Sequence, residues 1–171
     1  DHVLEELGAI RRTSTKGLAI GGGQDYPKTP RRRLAWISAR AEGPVPRERV
    51  AELLDRYGTR AEEVIAAIVA DPSDAPLEGA PEYSTAEVAH LARTEHVVHL
   101  DDLLMRRTSL AFTGGATLLA VRAVAEAVAE TLGWDAARVD DEVERGHAAV
   151  NRAVPSDGAP DGVRTQEWQH A

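Results

Sequence analysis

Apolar residues recur every three or four positions through most of the chain between residues 46 and 154. This spacing gathers them on one face of an α-helix, which turns once in about 3.6 residues. The clearest stripes are Val50, Leu53, Leu54 and Tyr57; Val64, Ile65, Ile68 and Val69; Val121, Val124, Ala125, Val128 and Leu132; and Val139, Val143, His147, Val150 and Val154. The pattern predicts an all-α fold, a compact bundle of about five or six helices.

Residues that start or stop helices flank these stripes. Pro46 stands near the first turn of the first helix and Gly58 in the position of its C-cap, while Thr59 can cap the helix that follows. Gly133 closes the third stripe, and Asp135 can cap the fourth. Proline early in a helix and glycine just past its end are the usual arrangement. The flanking residues therefore agree with the periodicity about where helices begin and end.

Two shorter helices are predicted between these stripes. Ser84, followed three residues later by Glu87, has the spacing of a capping box, in which each side chain accepts a hydrogen bond from the backbone near the other. The apolar faces of the two helices consist of Val88, Leu91 and Ala92, and of Leu100, Leu103 and Leu104. The first face continues to Glu95 and the second to Arg107, so each ends on a charge, and the two charges have opposite signs.

The two ends of the chain lack helical periodicity. Residues 13–33 contain Gly21-Gly22-Gly23 and the basic run Arg31-Arg32-Arg33, and glycine and proline interrupt regular structure. We interpret this region as an irregular arm that either lies on another surface or is mobile. From Pro155 onward the composition turns to Ser, Asp, Gly, Pro and Gln, which predicts a disordered tail.

Composition narrows the class of protein. The chain has 171 residues, enough for one domain with an arm, and its lack of cysteine excludes a disulfide scaffold and a thiolate metal site. Aromatic residues make up only 4% of the chain, which favours packed helices over a β-sandwich. The net charge of −8 disfavours nonspecific binding to nucleic acid. No apolar run approaches the roughly 20 residues of a membrane-spanning helix. The chain starts at Asp1 rather than at methionine, which we interpret as the start of a fragment.

Three groups of residues could carry chemistry, and each has a simpler explanation. Gly21-Gly22-Gly23 could cradle a phosphate but lacks a preceding strand and a following helix, so a flexible linker is favoured. Gly114-Gly115 precedes a long helix, whose start favours anions, although a plain turn is the commoner use of glycine. His90, His96 and His99 lack the spacing of a zinc motif and are interpreted as ordinary polar residues. The sequence therefore predicts no metal site.

Glu95 together with Arg106 or Arg107 is the strongest charged constellation. One interpretation is a binding site for an anionic substrate. The other, which we favour, is a structural ion pair that locks two helices, because charges set among core residues need partners. The structural interpretation predicts that Arg107→Ala loosens the domain.

The same block carries a family resemblance. The run Asp102–Phe112, with Glu95 and Ala86-Glu87-Val88 before it, resembles the C-terminal domain of aerobic, FAD-dependent glycerol-3-phosphate dehydrogenase. Further stretches that agree are Arg12–Lys16, Arg56–Ala61 followed by Val64, and Leu132–Asp135. The resemblance covers most of residues 1–150. The sequence departs from the family pattern in residues 19–46, in Thr113-Gly114-Gly115 and in the polar tail.

The resemblance implies a domain organisation and an activity. Residues 1–45 would be the end of a preceding domain's last helix plus a linker arm, residues 46–154 a C-terminal helical cap domain, and residues 155–171 a flexible tail. The whole enzyme would oxidise glycerol 3-phosphate to dihydroxyacetone phosphate and pass electrons to quinone, or to oxygen in the oxidase relatives. Its FAD would be bound by an N-terminal domain. No residue of this chain matches a catalytic or cofactor-binding motif, so the fragment alone is expected to be inactive.

The resemblance also implies partners and a location. The main partner would be the N-terminal FAD and substrate domain of the same chain, with a homodimer as an open alternative and no nucleic acid. The enzyme would be cytoplasmic, at the inner face of the cytoplasmic membrane, with any membrane contact made by the full-length enzyme. Two other classes stay open: a stand-alone α-helical protein-interaction module, and a small anionic-ligand-binding domain that uses Arg106, Arg107 and the helix start at Gly114-Gly115.

Overall fold

A computed structural model describes residues 20–41 and 43–153, together with Glu6, Gly8, Gly17 and Leu18. Contacts divide the chain into two compact units, Asp1–Val69 and Ala70–Ala171.

The N-terminal unit is helical. Its elements are α1 (Pro30–Arg40), α2 (Arg47–Tyr57), a 3-10 turn (Gly58–Arg60) and α3 (Ala61–Ala70). The buried apolar residues are Ile37, Val45, Val50, Leu53, Leu54, Ala61 and Val64. The two stripes predicted for this region supply most of that core, which follows from the helical period.

Helix α1 lies inside the region that the sequence predicts to be an irregular arm. Thr29 is its N-cap, and the Thr29 side chain accepts a hydrogen bond from the backbone N–H of Arg32 at 3.3 Å. Pro30 occupies the first helical position, where its missing N–H costs nothing. Only Ile37 of this helix is fully buried, so the sequence contains no apolar stripe that would predict the helix. The Thr-Pro start is the signal that could have revealed the helix.

The glycine triplet is docked on the end of α2, which differs from its interpretation as a flexible linker. Gly22 and Gly58 both have positive φ, of 78° and 61°, and their backbones touch. A Cβ on Gly22 would collide with the carbonyl oxygen of Tyr57, and a Cβ on Gly58 would collide with that of Gly22. Thr59, which the sequence assigned to helix capping, instead donates from its backbone N–H to Gly22 O at 2.9 Å and from its hydroxyl to Gln24 O at 2.8 Å.

The C-terminal unit contains a small sheet and the longest helices. Its elements are β1 (Pro76–Leu77), β2 (Ala80–Ser84), α4 (Thr85–Thr94), α5 (Leu100–Arg106), α6 (Leu110–Thr113), α7 (Leu118–Leu132) and α8 (Ala136–Ala153). The strands pair antiparallel, with Pro76 opposite Ser84 and Leu77 opposite Ala80. The sequence did not predict this hairpin, because it lies in a short stretch rich in proline and glycine.

Helix α7 forms the centre of this unit and packs against both α4 and α8, while α8 also packs against α5. The inward face of α7 is the predicted stripe, of which Val121, Val124, Ala125 and Val128 are fully buried. Helices α5 and α8 approach closely at Gly146, where a Cβ would lie 3.2 Å from side-chain atoms of Leu100 and Leu104. The small residue therefore sets the distance between these two helices.

The predicted capping box at the start of α4 is wrong. The Ser84 side chain makes no capping hydrogen bond, and its buried hydroxyl has no hydrogen-bond partner. Asp74, from the loop before the hairpin, takes its place: Asp74 Oδ1 accepts from the backbone N–H of Ala86 at 2.8 Å and from the Thr85 hydroxyl at 3.2 Å. Glu87 is fully buried within the unit.

The all-α fold is confirmed, with one two-stranded hairpin added among the described residues. The described residues contain eight α-helices where five or six were expected, because α1 and the short α6 were not predicted. Gly58 and Gly133 end their helices as predicted, and Gly133 does so with a left-handed backbone. Four predicted features lie largely or wholly outside the described residues: the end of a preceding helix at the start of residues 1–45, the Arg12–Lys16 motif, Val154 and the tail at 155–171. Within the described ranges, no helix has both the length and the apolarity needed to cross a bilayer.

Candidate functional site

The structure brings Glu95 and Arg107 together. Arg107 Nη1 lies 3.1 Å from Glu95 Oε2, and the two side chains are 42% and 22% exposed. Glu95 is the C-cap of α4 and Arg107 is the C-cap of α5, so the ion pair joins the ends of two consecutive helices. A cation near a helix C-terminus also interacts favourably with the helix dipole. The pair sits at the edge of the unit, where solvent weakens it.

Arg106 is directed elsewhere. Its Nη1 lies 2.8 Å from Oδ1 of Asp102, one turn earlier in α5, and the arginine side chain is 71% exposed. Asp102 Oδ2 accepts from the backbone N–H groups of His99 and Val98, at 3.1 and 3.3 Å. Burial raises the pKa of Asp102, but those two hydrogen bonds and the charge of Arg106 outweigh burial, and the pKa falls below its ordinary value. Asp102 therefore supplies a negative charge in the first turn of α5, next to the N-cap residue His99.

The residues after the arginine pair build the turn from α5 to α6. The Thr108 hydroxyl donates to the carbonyl oxygen of Leu103 at 3.0 Å, which satisfies an acceptor at the end of α5. The backbone N–H of Ser109 donates to the hydroxyl of Tyr83 at 2.8 Å, and Tyr83 is buried in the core. The block from Arg106 to Ser109 thus uses its polar groups for contacts inside the unit.

A buried carboxylate that was not among the residues predicted from the sequence lies between α5 and α8. Glu142 is 1% exposed, and its Oε2 accepts from the backbone N–H of Leu100 at 2.7 Å. Its Oε1 lies 2.8 Å from His99 Nδ1 and 2.6 Å from Arg138 Nη2. The signal was present in the sequence, because Glu142 falls three residues after Val139 on the apolar face of α8.

Two opposing effects set the pKa of Glu142. Burial raises it, because a charged carboxylate loses hydration. Hydrogen bonds from Leu100 and His99, with the positive charge of Arg138, lower it by more, so the pKa lies below the ordinary value of 4.5. Glu142 is therefore a charged group at neutral pH, held by three donors.

His99 connects this carboxylate to a further arginine. Its Nδ1 faces Glu142, and its Nε2 lies 3.2 Å from Arg145 Nη1. The tautomer with a proton on Nδ1 satisfies both contacts, since Nδ1 then donates and Nε2 accepts; this assignment follows from the hydrogen-bond network. Arg145 also lies 3.6 Å from Asp101 through its Nε. Every member of the network is engaged with another residue of the unit.

The other candidate residues occupy separate places. His96 is exposed and has a positive φ of 53°, in the loop after α4. Among the described residues, no group of three or more histidines and carboxylates is arranged to hold a metal ion. Gly114 ends α6 with a left-handed backbone, and the start of α7 is capped by the Thr117 hydroxyl, which accepts from Ala120 N at 3.2 Å.

A cleft of about 520 Å³ in the N-terminal unit runs beside the docked glycine segment. Its two arginines are each paired with an acidic neighbour, Arg40 with Glu62 and Arg60 with Glu63. Arg40 also stacks over Trp36 at 3.9 Å from the ring centroid. Asp25 also lines the cleft, so three carboxylates face two arginines and the cleft does not favour an anion.

Of the charged residues that the sequence singles out, Glu95 and Arg107 connect two helices of the C-terminal unit, and Arg106 pairs with Asp102 within α5. Residues 13–139 match the family described as the C-terminal domain of alpha-glycerophosphate oxidase. The chain belongs to this family, and the resemblance noted in its sequence is confirmed.

Curated relatives agree with this assignment. The chain is 41% identical over 117 residues to glycerol-3-phosphate dehydrogenase 2 of Mycobacterium tuberculosis and of Mycobacterium bovis. It is 38% identical over 119 residues to glycerol-3-phosphate dehydrogenase of Mycobacterium leprae. In each case the match covers 67% of this chain and 20% of the relative. The chain thus spans about a fifth of the length of the curated relatives it matches.

Proposed function

We propose that this chain is the helical cap of a flavin-dependent glycerol-3-phosphate dehydrogenase, an oxidoreductase of glycerol metabolism. The whole enzyme converts glycerol 3-phosphate to dihydroxyacetone phosphate and transfers the electrons to quinone. The observation that carries this proposal is the match of residues 13–139 to a family defined as a C-terminal domain of an enzyme with that substrate. The names of the relatives support the same reaction.

The cap itself is non-catalytic in this proposal, and three contacts support that. Arg107 is paired with Glu95 and Arg106 with Asp102, so each arginine already has an anionic partner. The Thr108 hydroxyl donates to a backbone carbonyl. The neighbouring carboxylates offset the positive charge of both arginines, which weakens the attraction for a substrate phosphate and weighs against the alternative of an anion-binding domain.

FAD does not fit the described residues of this chain. A dinucleotide site needs a parallel strand, a glycine-rich turn and a helix that starts at the pyrophosphate. The sheet described here is a two-stranded antiparallel hairpin, and β2 runs into α4 through Ser84 and Thr85 without a glycine. The Gly21-Gly22-Gly23 segment is packed against Tyr57 and Gly58. FAD therefore belongs to the preceding domain in this proposal.

The partner and the location follow from the same assignment. The cap packs on the N-terminal FAD and substrate domain of its own chain, and the enzyme acts in the cytoplasm, at the inner face of the cytoplasmic membrane. Contact with the membrane is made by the full-length enzyme. These statements rest on the family resemblance.

The test compares the full-length enzyme with the isolated 171-residue chain. We expect the full-length protein to carry bound flavin, seen by its absorbance, and to reduce an artificial quinone when glycerol 3-phosphate is added. We expect the isolated chain to bind neither flavin nor glycerol 3-phosphate in calorimetry. Micromolar affinity of the isolated chain for glycerol 3-phosphate would overturn the non-catalytic assignment. A full-length protein without flavin would overturn the enzyme assignment.

A further inference from the structure

Three large apolar side chains stand exposed around the connection between α6 and α7. Phe112 is 73% exposed, Leu118 is 55% exposed and Leu119 is 50% exposed; we call these three residues the α6–α7 surface. Phe112 is the only phenylalanine of the chain, whose described core is built mainly from Ala, Val and Leu. Single exposed apolar residues are normal, whereas an apolar patch of a few hundred Å² is often functional, so three large ones within eight positions are a candidate contact surface.

The connection that presents these side chains is fixed rather than loose. Gly114 turns the backbone with a φ of 75°, and the buried Ala116 donates from its N–H to Leu110 O at 3.0 Å. This hydrogen bond closes the segment from Leu110 to Ala116, so Phe112 lies within a closed connection and Leu118 begins the helix that follows it directly. A preformed surface loses little conformational entropy when a partner binds.

The size of the surface favours a partner that belongs to the same polypeptide. The three side chains expose roughly 350 Å² of apolar area together. Two free copies of a protein need about 800 Å² on each partner for a stable association. A body that is tethered to this domain meets it at millimolar effective concentration, so a smaller area is sufficient. A domain described as C-terminal, in relatives five times as long as the matched stretch, has such a body.

We infer that the α6–α7 surface is the place where the preceding catalytic body of the same enzyme docks on this domain. The inference rests on the proposed function, since it requires that body. Phe112 is the anchor of the contact, because an exposed aromatic side chain on a rigid turn contributes the largest buried area.

The absence of cysteine from the chain provides a direct test. Phe112→Cys and, in a second variant, Leu118→Cys each introduce a single thiol into the domain. The labelling rate of that thiol by a maleimide is measured in the isolated 171-residue chain and in the full-length enzyme, with peptide mass mapping to separate it from cysteines elsewhere. We expect labelling at both positions to be at least tenfold slower in the full-length enzyme.

Val98→Cys is the matched control, because Val98 is 62% exposed in the same unit, in the loop before α5. Its labelling rate should be the same in both proteins. Equal rates at Leu118 in both proteins, in a variant that keeps the Phe112 side chain and still carries flavin and oxidises glycerol 3-phosphate, would overturn the docking surface and leave the proposed function standing. Slow labelling at Phe112 already in the isolated chain would place another copy or another part of this chain there, and would also overturn it. Equal slowing at Val98 would contradict the specificity of the surface.

Discussion

Glu142 accepts a hydrogen bond from the backbone N–H of Leu100, the first residue of α5, 42 positions earlier in the chain. The start of a helix leaves N–H groups without partners and carries a partial positive charge. A carboxylate supplied by α8 satisfies one of these groups and ties the two helices together. The same carboxylate holds His99 and Arg138, so one buried charge organises three contacts.

Removal of this carboxylate should destabilise the domain strongly. Glu142→Ala leaves the buried Leu100 N–H without its acceptor and removes the anionic partner of the half-exposed Arg138, and we expect the free energy of unfolding to fall by about 2 kcal/mol. Urea unfolding followed by circular dichroism measures the loss. Glu144→Ala, at an exposed position of the same helix, is the control and should change stability by less than about 0.5 kcal/mol. A loss below about 1 kcal/mol for Glu142→Ala would contradict the assigned role.

The stability of the domain should depend on acid through the same residue. The pKa of Glu142 is lower in the folded state than its ordinary value of 4.5, so the unfolded chain binds a proton first as the pH falls. The stabilisation is therefore complete above the unfolded pKa and disappears as the pH falls through the folded pKa. Unfolding curves between pH 7 and pH 3 should show a smaller loss of stability for Glu142→Gln than for the wild type. Asp102, whose pKa is also lowered, leaves part of the dependence in place. An unchanged pH dependence in Glu142→Gln would rule out this linkage.

The contact between Gly22 and Gly58 should tolerate no side chain. In Gly22→Ala or Gly58→Ala the new Cβ meets a backbone carbonyl oxygen, and both positions have a positive φ, so we expect a loss of at least about 2 kcal/mol. Gly43→Ala is the matched control, because a Cβ there meets nothing within 4 Å and its φ is not positive. Thermal unfolding distinguishes them. Equal melting temperatures for all three variants would mean that the glycine segment is not docked in solution.

The start of α4 offers a test between local pattern and tertiary contact. Asp74→Ala removes the acceptor for Ala86 N–H and should cost about 1 kcal/mol, as loss of a helix cap usually does. Ser84→Ala removes a hydroxyl that has no hydrogen-bond partner, so it should be neutral or slightly stabilising. Chemical denaturation of the two variants gives the comparison. The reverse order of the two losses would restore Ser84 as the cap.

The ion pair between Glu95 and Arg107 should contribute less than Glu142 does. Both partners touch solvent, so Arg107→Ala is expected to lower stability by only about 0.5 to 1 kcal/mol. A double-mutant cycle with Glu95→Gln measures the coupling between the two side chains. A coupling near zero would mean that the ion pair does not stabilise the helix ends. An unfolded Arg107→Ala variant would mean that Arg107 contributes more to stability than its solvent exposure indicates.

The parts of the fold that are predictable from the sequence are those decided by neighbours in the chain. The stripes of α2, α7 and α8 follow from the helical period, and Gly133 ends α7 because a left-handed residue suits the end of a helix. Helix α1 was not predicted, because Trp36 and Ile37 alone do not form an apolar stripe. Thr29 and Pro30 nevertheless mark its start.

The parts that were missed depend on contacts across longer distances. Asp74 caps a helix that begins eleven residues later, Thr59 binds Gln24, and Glu142 binds Leu100. A local pattern cannot predict whether Ser84 or Asp74 caps α4, since both side chains can accept a hydrogen bond from a helix N-terminus. Only the fold decides which of the two lies close enough to the free N–H groups. The same holds for the candidate site. The spacing predicted that Glu95 pairs with Arg106 or Arg107, but only the fold decides that Arg107 is the partner and that Arg106 binds Asp102 within its own helix.

The meeting of Gly22 with Gly58 has a consequence for how this family can vary. Each glycine excludes a side chain at the other position, since the obstacle to a Cβ on either is the backbone around its partner. A second substitution, at the partner glycine, therefore does not relieve the clash caused by the first. A lineage can abandon the pair only by remodelling or deleting the segment around residues 20–25. In related sequences that keep the segment around residues 20–25, glycine at position 22 should be accompanied by glycine at position 58; where that segment differs, this contact places no constraint on position 58.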